Sequence, residues 1–274
     1  MKKVIDASAL RSDELREFLC ASKRNLAVLT DYSFRESFKG RGETNVRKSY
    51  EILAAHTDQV IVLKDTASIS HLDPRAKGLQ GRLVGTKETA DFPRYCKALY
   101  SNSPGISDDI RSKQDKANHF FDQSDASTET LRRGMGMIIK GYQPDDIKRL
   151  RANQPLSQTL KDKFIGDVAR TSALQWRNVN PGRPLPAVAD IKYSFLFRYI
   201  VCGFTLGLKW AAEGGLEAVQ TSRLKNDFTD MTYAAFATFF DGLITRDKKL
   251  DEVHRRSVSL LNDLFDIPKP PVNR

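Results

Sequence analysis

The chain of 274 residues contains little cysteine and little histidine. Its three cysteines, Cys20, Cys96 and Cys202, are odd in number, widely spaced and form no Cys-x-x-Cys pair. This pattern argues against a disulfide framework and a thiolate zinc site, and it is typical of a reducing cytoplasm. The four histidines include no i, i+4 pair, so a histidine metal site is not expected either.

The sequence also lacks a clear targeting or membrane segment. In the opening residues MKKVIDASAL, Asp6 interrupts the apolar run almost at once, unlike the core of a signal peptide. The most apolar stretch, FLFRYIVCGFTLGLKW, is short for a bilayer span and carries Arg198 inside it. We therefore expect a soluble, cytoplasmic protein with no membrane partner.

Positive charge, by contrast, is in excess. The chain has 44 Lys and Arg residues against 34 Asp and Glu residues, a formal net charge of +10. A basic protein favours polyanions, because neutralising phosphates releases their condensed counterions. Nucleic acid is therefore the partner class that the composition favours.

The first 65 residues alternate between short apolar runs and helical patterns. Lys3 to Asp6, Leu26 to Leu29 and Gln59 to Leu63 are predicted as buried strands. Helices are predicted after Ser12, which is a typical N-cap residue, and near Ser33. Nearly continuous apolar strands that alternate with helices predict an α/β fold with a parallel sheet covered on both faces.

The middle and the end of the chain differ in pattern. Residues 66–189 contain few strand-like runs and mix charged with apolar residues at helical spacing. From Asp190 a long apolar helix is predicted to about Glu213, followed by a buried helix from Met231 to Phe240 and a short strand at Leu243-Ile244. We predict a discontinuous core from residues 1–65 and 190–274, with residues 66–189 as a helical insertion.

Three segments resemble the PIN-domain family of nucleases. VIDASAL is similar to the family's opening strand and acid, and LAVLTDYSFRES to the strand and helix that present a glutamate. NDFTDMTYAAFATFFDGLITRDKKL resembles the closing block, with an acid at a buried helix and a Thr-x-Asp after the next strand. The resemblance covers roughly the first 65 and the last 50 residues.

The resemblance implies a PIN-like fold and an acidic site. It assigns four residues as catalytic and metal-binding carboxylates: Asp6, Glu36, Asp230 and Asp247. Ser8 and Thr245 would be small polar supports. Physical reasoning agrees for the acids that follow apolar runs, since sites in parallel sheets form outside the carboxyl ends of the strands. Clustered carboxylates repel one another unless a cation neutralises them, and oxygen ligands suit Mg²⁺ or Mn²⁺.

Several acids have alternative interpretations. An Asp at the end of a strand, such as Asp6 or Asp247, is often a turn former or a helix cap. Asp31 precedes Glu36 on the same segment and could take its place, whereas Asp230 could be only a helix N-cap. Asp227 and Asp241 lie near the closing block and could assist a second ion.

Basic residues flank two of the proposed acids. They could contact the phosphates of a strand that enters the acidic cleft, although a solvated charged face is the ordinary role of such residues. Those near Glu36 and Asp247 are Arg35, Lys39, Arg41, Arg246, Lys248 and Lys249.

The resulting hypothesis is a metal-dependent endoribonuclease that uses Mg²⁺ or Mn²⁺ to hydrolyse phosphodiester bonds. The resemblance implies an RNA substrate and a role as a bacterial toxin, a defence effector or an RNA-processing enzyme. The alternatives are a non-catalytic nucleic-acid-binding protein with the same fold, a nuclease of single-stranded DNA, and an enzyme acting on a small phosphorylated substrate. A second copy of the chain or a regulatory protein is left open as a partner.

Overall fold

A computed structural model shows a four-stranded parallel sheet flanked by helices. The structure describes residues 1–40, 42–101, 103–123, 129, 132–136, 140–151, 154–214 and 221–267. The strands are β1 (Lys2–Ile5), β2 (Leu26–Leu29), β3 (Val60–Val62) and β4 (Leu243–Ile244), in the spatial order β3-β2-β1-β4. The predicted α/β class and parallel sheet are therefore confirmed.

The helices occupy most of the remaining described chain. They are α1 (Asp13–Ala21), α2 (Asp31–Phe38), α3 (Glu43–Ala54), α4 (Thr66–Ser70), α5 (Leu79–Leu83), α6 (Thr86–Tyr100), α7 (Ile106–Asp122), α8 (Pro144–Arg151), α9 (Gln158–Val179), α10 (Val188–Ile191), α11 (Phe195–Ala212), α12 (Thr221–Ala237) and α13 (Lys248–Phe265).

Side-chain hydroxyls and carboxylates cap the helices that surround the strand ends. The hydroxyl of Ser12 accepts a hydrogen bond from the backbone N–H of Leu15 at 3.1 Å, as expected for an N-cap. Thr30 and Ser33 form a reciprocal capping box at the start of α2. The Ser33 hydroxyl also donates to the Ile5 carbonyl at 2.8 Å, which ties α2 to the end of β1.

Alternating strand residues separate two apolar cores. Val4 and Val28 pack on one face of the sheet with the apolar sides of α11 and α12. Ile5, Ala27 and Leu29 pack on the other face with α1, α3, α6 and α7. Because successive strand side chains point to opposite faces, four- and three-residue strands suffice to build both cores.

Helix α11 begins later than predicted and is buried. Ser194 caps its first turn by accepting from the N–H of Phe197 at 3.1 Å, so the segment from Asp190 forms the separate short helix α10. Although α11 is long and apolar enough to cross a membrane, 83% of it lies inside the fold, consistent with a soluble protein. Arg198 is buried there and donates to the carbonyl of Thr238, where it caps the last turn of α12.

In the described part of residues 66–189 the backbone forms helices and no strand, apart from an isolated bridge between Leu63 and Val84. Helices α6 and α7 nevertheless share a core with β2. A third apolar cluster joins α9 and α11 to the end of α13. The division into a discontinuous core and an insertion stays a prediction.

Candidate active site

The strand order of the sheet reverses at β1. The chain passes from β1 to β2 to β3 in one direction and then returns to place β4 on the other side of β1. In open parallel sheets, ligands bind outside the carboxyl ends of the strands at such a reversal. Asp6 directly follows β1, and Thr245 and Asp247 follow β4, so all three lie at this position.

A cleft of about 340 Å³ opens at this reversal point. All four carboxylates assigned from the sequence line it, although they come from widely separated parts of the chain. The lining residues are Asp6, Ala7, Ser8, Glu36, Lys39, Asn226, Asp230 and Asp247.

Asp6 is held by two hydroxyl groups. Its Oδ2 atom accepts a hydrogen bond from the Thr245 hydroxyl at 2.7 Å and another from the Ser8 hydroxyl. Asp6 is 5% exposed, so these two donors replace much of the lost hydration of its carboxylate. Both residues predicted as small polar supports therefore contact the acid that ends β1.

Asp247 is oriented by the start of α13. As the N-cap, its Oδ1 atom accepts from the backbone N–H groups of Lys249 at 2.7 Å and Leu250 at 3.0 Å. Its own N–H donates to the Thr245 hydroxyl at 3.0 Å. Thr245 thus bridges Asp6 and Asp247, which explains the Thr-x-Asp spacing.

Glu36 lies in the middle of α2 and meets a buried tyrosine. The Tyr233 hydroxyl donates to Glu36 Oε2 at 2.6 Å. Tyr233 is fully buried, and its burial next to Glu36 and Asp6 raises the pKa of its hydroxyl well above 10. Tyr233 therefore keeps its proton and remains a donor to Glu36 over the physiological pH range.

The pKa of Asp230 is raised, because this residue is buried and lies close to the other acids. Burial, followed by repulsion from Asp6, Asp247, Glu36 and Asp227, raises its pKa from 3.8 to about 8. It lies inside α12, which begins at Thr221, so the alternative interpretation as a helix N-cap is wrong. In the protein alone, Asp230 therefore holds a proton near neutral pH.

The four carboxylates supply only oxygen atoms as donors, the ligand type that hard divalent cations take. Within the described ranges, no three His, Cys, Asp or Glu side chains are arranged to surround a metal ion directly. The four carboxylates instead line an open cleft. Mg²⁺ commonly binds in this manner, with one or two carboxylates and several retained water molecules. Asp6, Glu36, Asp230 and Asp247 are the residues that would hold such an ion.

Asp227 lies behind the cleft rather than in it. Its Oδ2 atom accepts from the indole N–H of Trp210 at 3.0 Å and forms an ion pair with Lys249. Both charged side chains are largely buried, at 6% and 17% exposure. This ion pair links α13 to α12 and so positions Asp247 relative to Asp230. The Lys249 ammonium, which the sequence assigned to phosphate binding, is thus paired with Asp227.

Two other acids lie away from the cleft. The Asp31 carboxylate accepts from the hydroxyl and the N–H of Thr66 and lines a different cavity, so it does not replace Glu36. Asp241 accepts from the N–H of Lys2 at 2.6 Å. Lys2 begins β1, and Asp6 follows the end of β1. Asp241 therefore lies at the amino ends of the strands, away from the acidic cleft. The prediction that Asp241 assists a second ion is therefore not supported.

The basic residues separate into three groups. Lys39 lines the acidic cleft, with its ammonium 4.3 Å from the ring centroid of Phe121. Arg246 and Lys248 are exposed beside Asp247, where contact with a phosphate stays a prediction. Arg35 faces the second cavity and the ring of Phe120, and Arg41 lies outside the described residues.

Sequence reasoning missed two residues of the site. Tyr233 lies three residues after Asp230 on α12, and Asn226 lies four residues before it. Residues at these spacings share one face of a helix, so helical periodicity around Asp230 could have identified both.

Comparison of this chain with protein-family models, curated proteins and solved structures finds no match.

Proposed function

We propose that this protein is a PIN-like, metal-dependent nuclease that cuts RNA in the cytoplasm. The observation that carries the proposal is the convergence of four carboxylates from both ends of the chain on one cleft at the sheet reversal. An open cleft with so many acids is unfavourable by itself, because the charges repel. A divalent cation and a phosphate group together would relieve that repulsion.

The chemistry supplied by a bound Mg²⁺ or Mn²⁺ is the activation of water and the stabilisation of charge on the phosphate. The chain's residues orient the ligands: Ser8 and Thr245 fix Asp6, and Tyr233 fixes Glu36. Lys39, the one basic residue that lines this cleft in the described ranges, would contact a phosphate oxygen of the incoming strand.

The net charge of +10 supports a polyanionic substrate rather than a small phosphorylated molecule. RNA is proposed over single-stranded DNA on the resemblance to PIN domains alone. The choice between them is therefore an outcome of the experiment.

The decisive experiment measures cleavage of single-stranded RNA, structured RNA and single-stranded DNA with Mn²⁺, Mg²⁺ or EDTA. We expect cutting that requires metal and falls by at least about 100-fold in an Asp6→Asn, Asp247→Asn variant, since even outer-shell changes at metal sites cost 10- to 100-fold. Asp58→Asn is the matched control. Asp58 is exposed, pairs with Lys23 and precedes β3, so it lies at the amino ends of the strands, away from the acidic cleft.

A non-catalytic nucleic-acid-binding protein is the second candidate. The absence of a closed metal cage among the described residues favours it. The acidic cleft opposes it, because four carboxylates without a cation would repel a phosphate backbone. Binding of RNA in EDTA, without cutting in any metal and without loss in the Asp6→Asn, Asp247→Asn variant, would decide for this candidate.

A further inference from the structure

A second and larger cleft lies at the carboxyl ends of β2 and β3. It has a volume of about 780 Å³ and is lined by Thr30, which follows β2, and by Leu63 and Lys64, which follow β3. Cavities of roughly 300–1,000 Å³ are the usual size for small-molecule and cofactor sites. No residue assigned to the acidic cleft lines it.

Helix α2 forms the wall between the two clefts. Glu36 and Lys39 line the acidic cleft, whereas Phe34 and Arg35 of the same helix line the second one. A helix with its side chains is about 10–12 Å across, so the clefts lie roughly one helix width apart. A nucleic-acid strand with a phosphate in the acidic cleft would place a neighbouring nucleotide within reach of the second.

The floor of the second cleft is aromatic and aliphatic. Phe34 and Tyr95 are partly exposed there, with ring centroids 6.1 Å apart, and Phe92 lies buried beneath. The Tyr95 hydroxyl has no hydrogen-bond partner in the described part of the chain. The Lys113 ammonium lies 4.2 Å from the Tyr95 ring centroid and is paired with Asp109 of the same helix.

The basic and acidic side chains that line the second cleft are equal in number. Four basic and four acidic side chains line the cleft: Arg35, Lys64, Lys87 and Lys113 with Asp31, Asp65, Glu88 and Asp91. A site that binds a phosphate without a metal ion would carry a net positive charge. A lining with no net charge and with both donors and acceptors instead fits a neutral, flat ring that presents donors and acceptors along its edge.

Lys87 and Glu88 stand at the rim of this cleft, at the start of α6. Glu88 folds back over Gly85, where a Cβ would meet its Oε2 atom at 2.5 Å. Lys87 is exposed and forms no ion pair with any described residue. These two side chains can therefore change without disturbing the core beneath them.

We propose that the second cleft holds a nucleobase of the strand whose phosphate occupies the acidic cleft. The base would lie against Phe34 and Tyr95 and hydrogen-bond along its edge to Arg35, Lys87 and Glu88. Unpaired bases are bound in this way, by aromatic rings and by polar groups at the base edge. This inference rests on the proposed nuclease function, because it identifies the substrate strand as the occupant.

The test compares strands with and without bases. Anisotropy is measured for fluorescein-labelled RNA homopolymers of about 12 nucleotides, within the site sizes of single-strand binders. An abasic ribose-phosphate strand of equal length and charge is the reference. The strands carry phosphorothioate linkages, which slow hydrolysis, and the protein keeps all four carboxylates of the acidic cleft, with Mg²⁺ present.

We expect at least one homopolymer to bind about fivefold or more tightly than the abasic strand, the lower end of what one bound base contributes. Adding Lys87→Gln and Glu88→Gln should reduce that preference to about twofold and leave abasic binding unchanged. The control pair Glu17→Gln and Lys97→Gln makes the same charge change at exposed positions away from this cleft and should keep the preference.

Equal affinity for base-bearing and abasic strands, or a preference that survives in the Lys87, Glu88 variant, would overturn the inference. Circular dichroism checks that the variant is folded. If wild-type protein cuts RNA but shows no base preference, the nuclease proposal stands and the base site fails. If it binds bases through Lys87 and Glu88 but cuts nothing, the base site stands and the nuclease proposal fails.

Discussion

Replacing Asp230 with asparagine should stabilise the metal-free protein while destroying its proposed site. Burial and four neighbouring carboxylates raise the pKa of Asp230 from 3.8 to about 8. Its ionised form is thus disfavoured in the folded protein. The folded state binds more protons than the unfolded state between these values, so stability is greatest below pH 3.8 and falls as the pH rises towards 8.

The size of the effect follows from the pKa. Each pKa unit corresponds to about 1.4 kcal/mol, so the full rise from 3.8 to about 8 sets an upper bound on the order of 6 kcal/mol. Because Asp230 keeps some exposure to the open cleft, we expect about 2 kcal/mol, which for a chain of this size is about 3–4 °C in Tm. Asparagine has nearly the same shape and carries no charge, so it removes the repulsion and leaves the packing intact.

The assay is thermal unfolding in EDTA from pH 4 to pH 9, for wild type, Asp230→Asn and the control Asp58→Asn. The advantage of Asp230→Asn should grow as the pH rises to about 8 and stay constant above it. Added Mn²⁺ should raise the Tm of wild type and have much less effect on Asp230→Asn. A variant less stable than wild type at pH 8 in EDTA would refute the reasoning, because the acids would then not repel one another.

Three further changes test other contacts. Tyr233→Phe removes the hydrogen bond to Glu36, so the concentration of Mn²⁺ needed for a Tm rise, measured by calorimetry, should increase by about 10-fold or more; an unchanged value would contradict the orienting role. Lys249→Met leaves the buried carboxylate of Asp227 without its cation and should lower the free energy of unfolding by about 3–5 kcal/mol, and adding Asp227→Asn should restore much of it in urea titrations. Burial lowers the pKa of His254 from 6.5, so the folded protein should lose stability as the pH falls below 6.5; urea midpoints at pH 5 and 7.5 should differ less in His254→Gln than in wild type.

The parallel sheet and the acids that end its strands were within reach of the sequence. Asp6 and Asp247 each follow an apolar run, and the carboxyl ends of parallel strands lie on the same side of the sheet. Asp241 was misplaced because it precedes β4 rather than following it. An acid before a strand lies at its amino end and an acid after it at its carboxyl end, so the two are far apart although they are close in sequence.

Helix geometry explains the choice that the sequence left open between Asp31 and Glu36. With 3.6 residues per turn, positions five apart on a helix point about 140° away from each other. One of them must therefore face away from the acidic cleft, and the rotation of α2 decides which. That rotation is set by tertiary contacts such as the hydrogen bond from Ser33 to the Ile5 carbonyl, which no local pattern predicts.

The separation of Asp6 from Asp247 along the chain also determines when the cleft can exist. β4 and the start of α13 lie near the carboxyl end of the described chain, and β4 pairs with β1 from the opposite end. At synthesis rates of about 5–20 residues per second, Asp6 leaves the ribosome more than ten seconds before Asp247. During that interval the nascent chain has only part of the cleft. The cleft is therefore complete only after β4 and the start of α13 have followed β1 out of the ribosome and β4 has paired with β1.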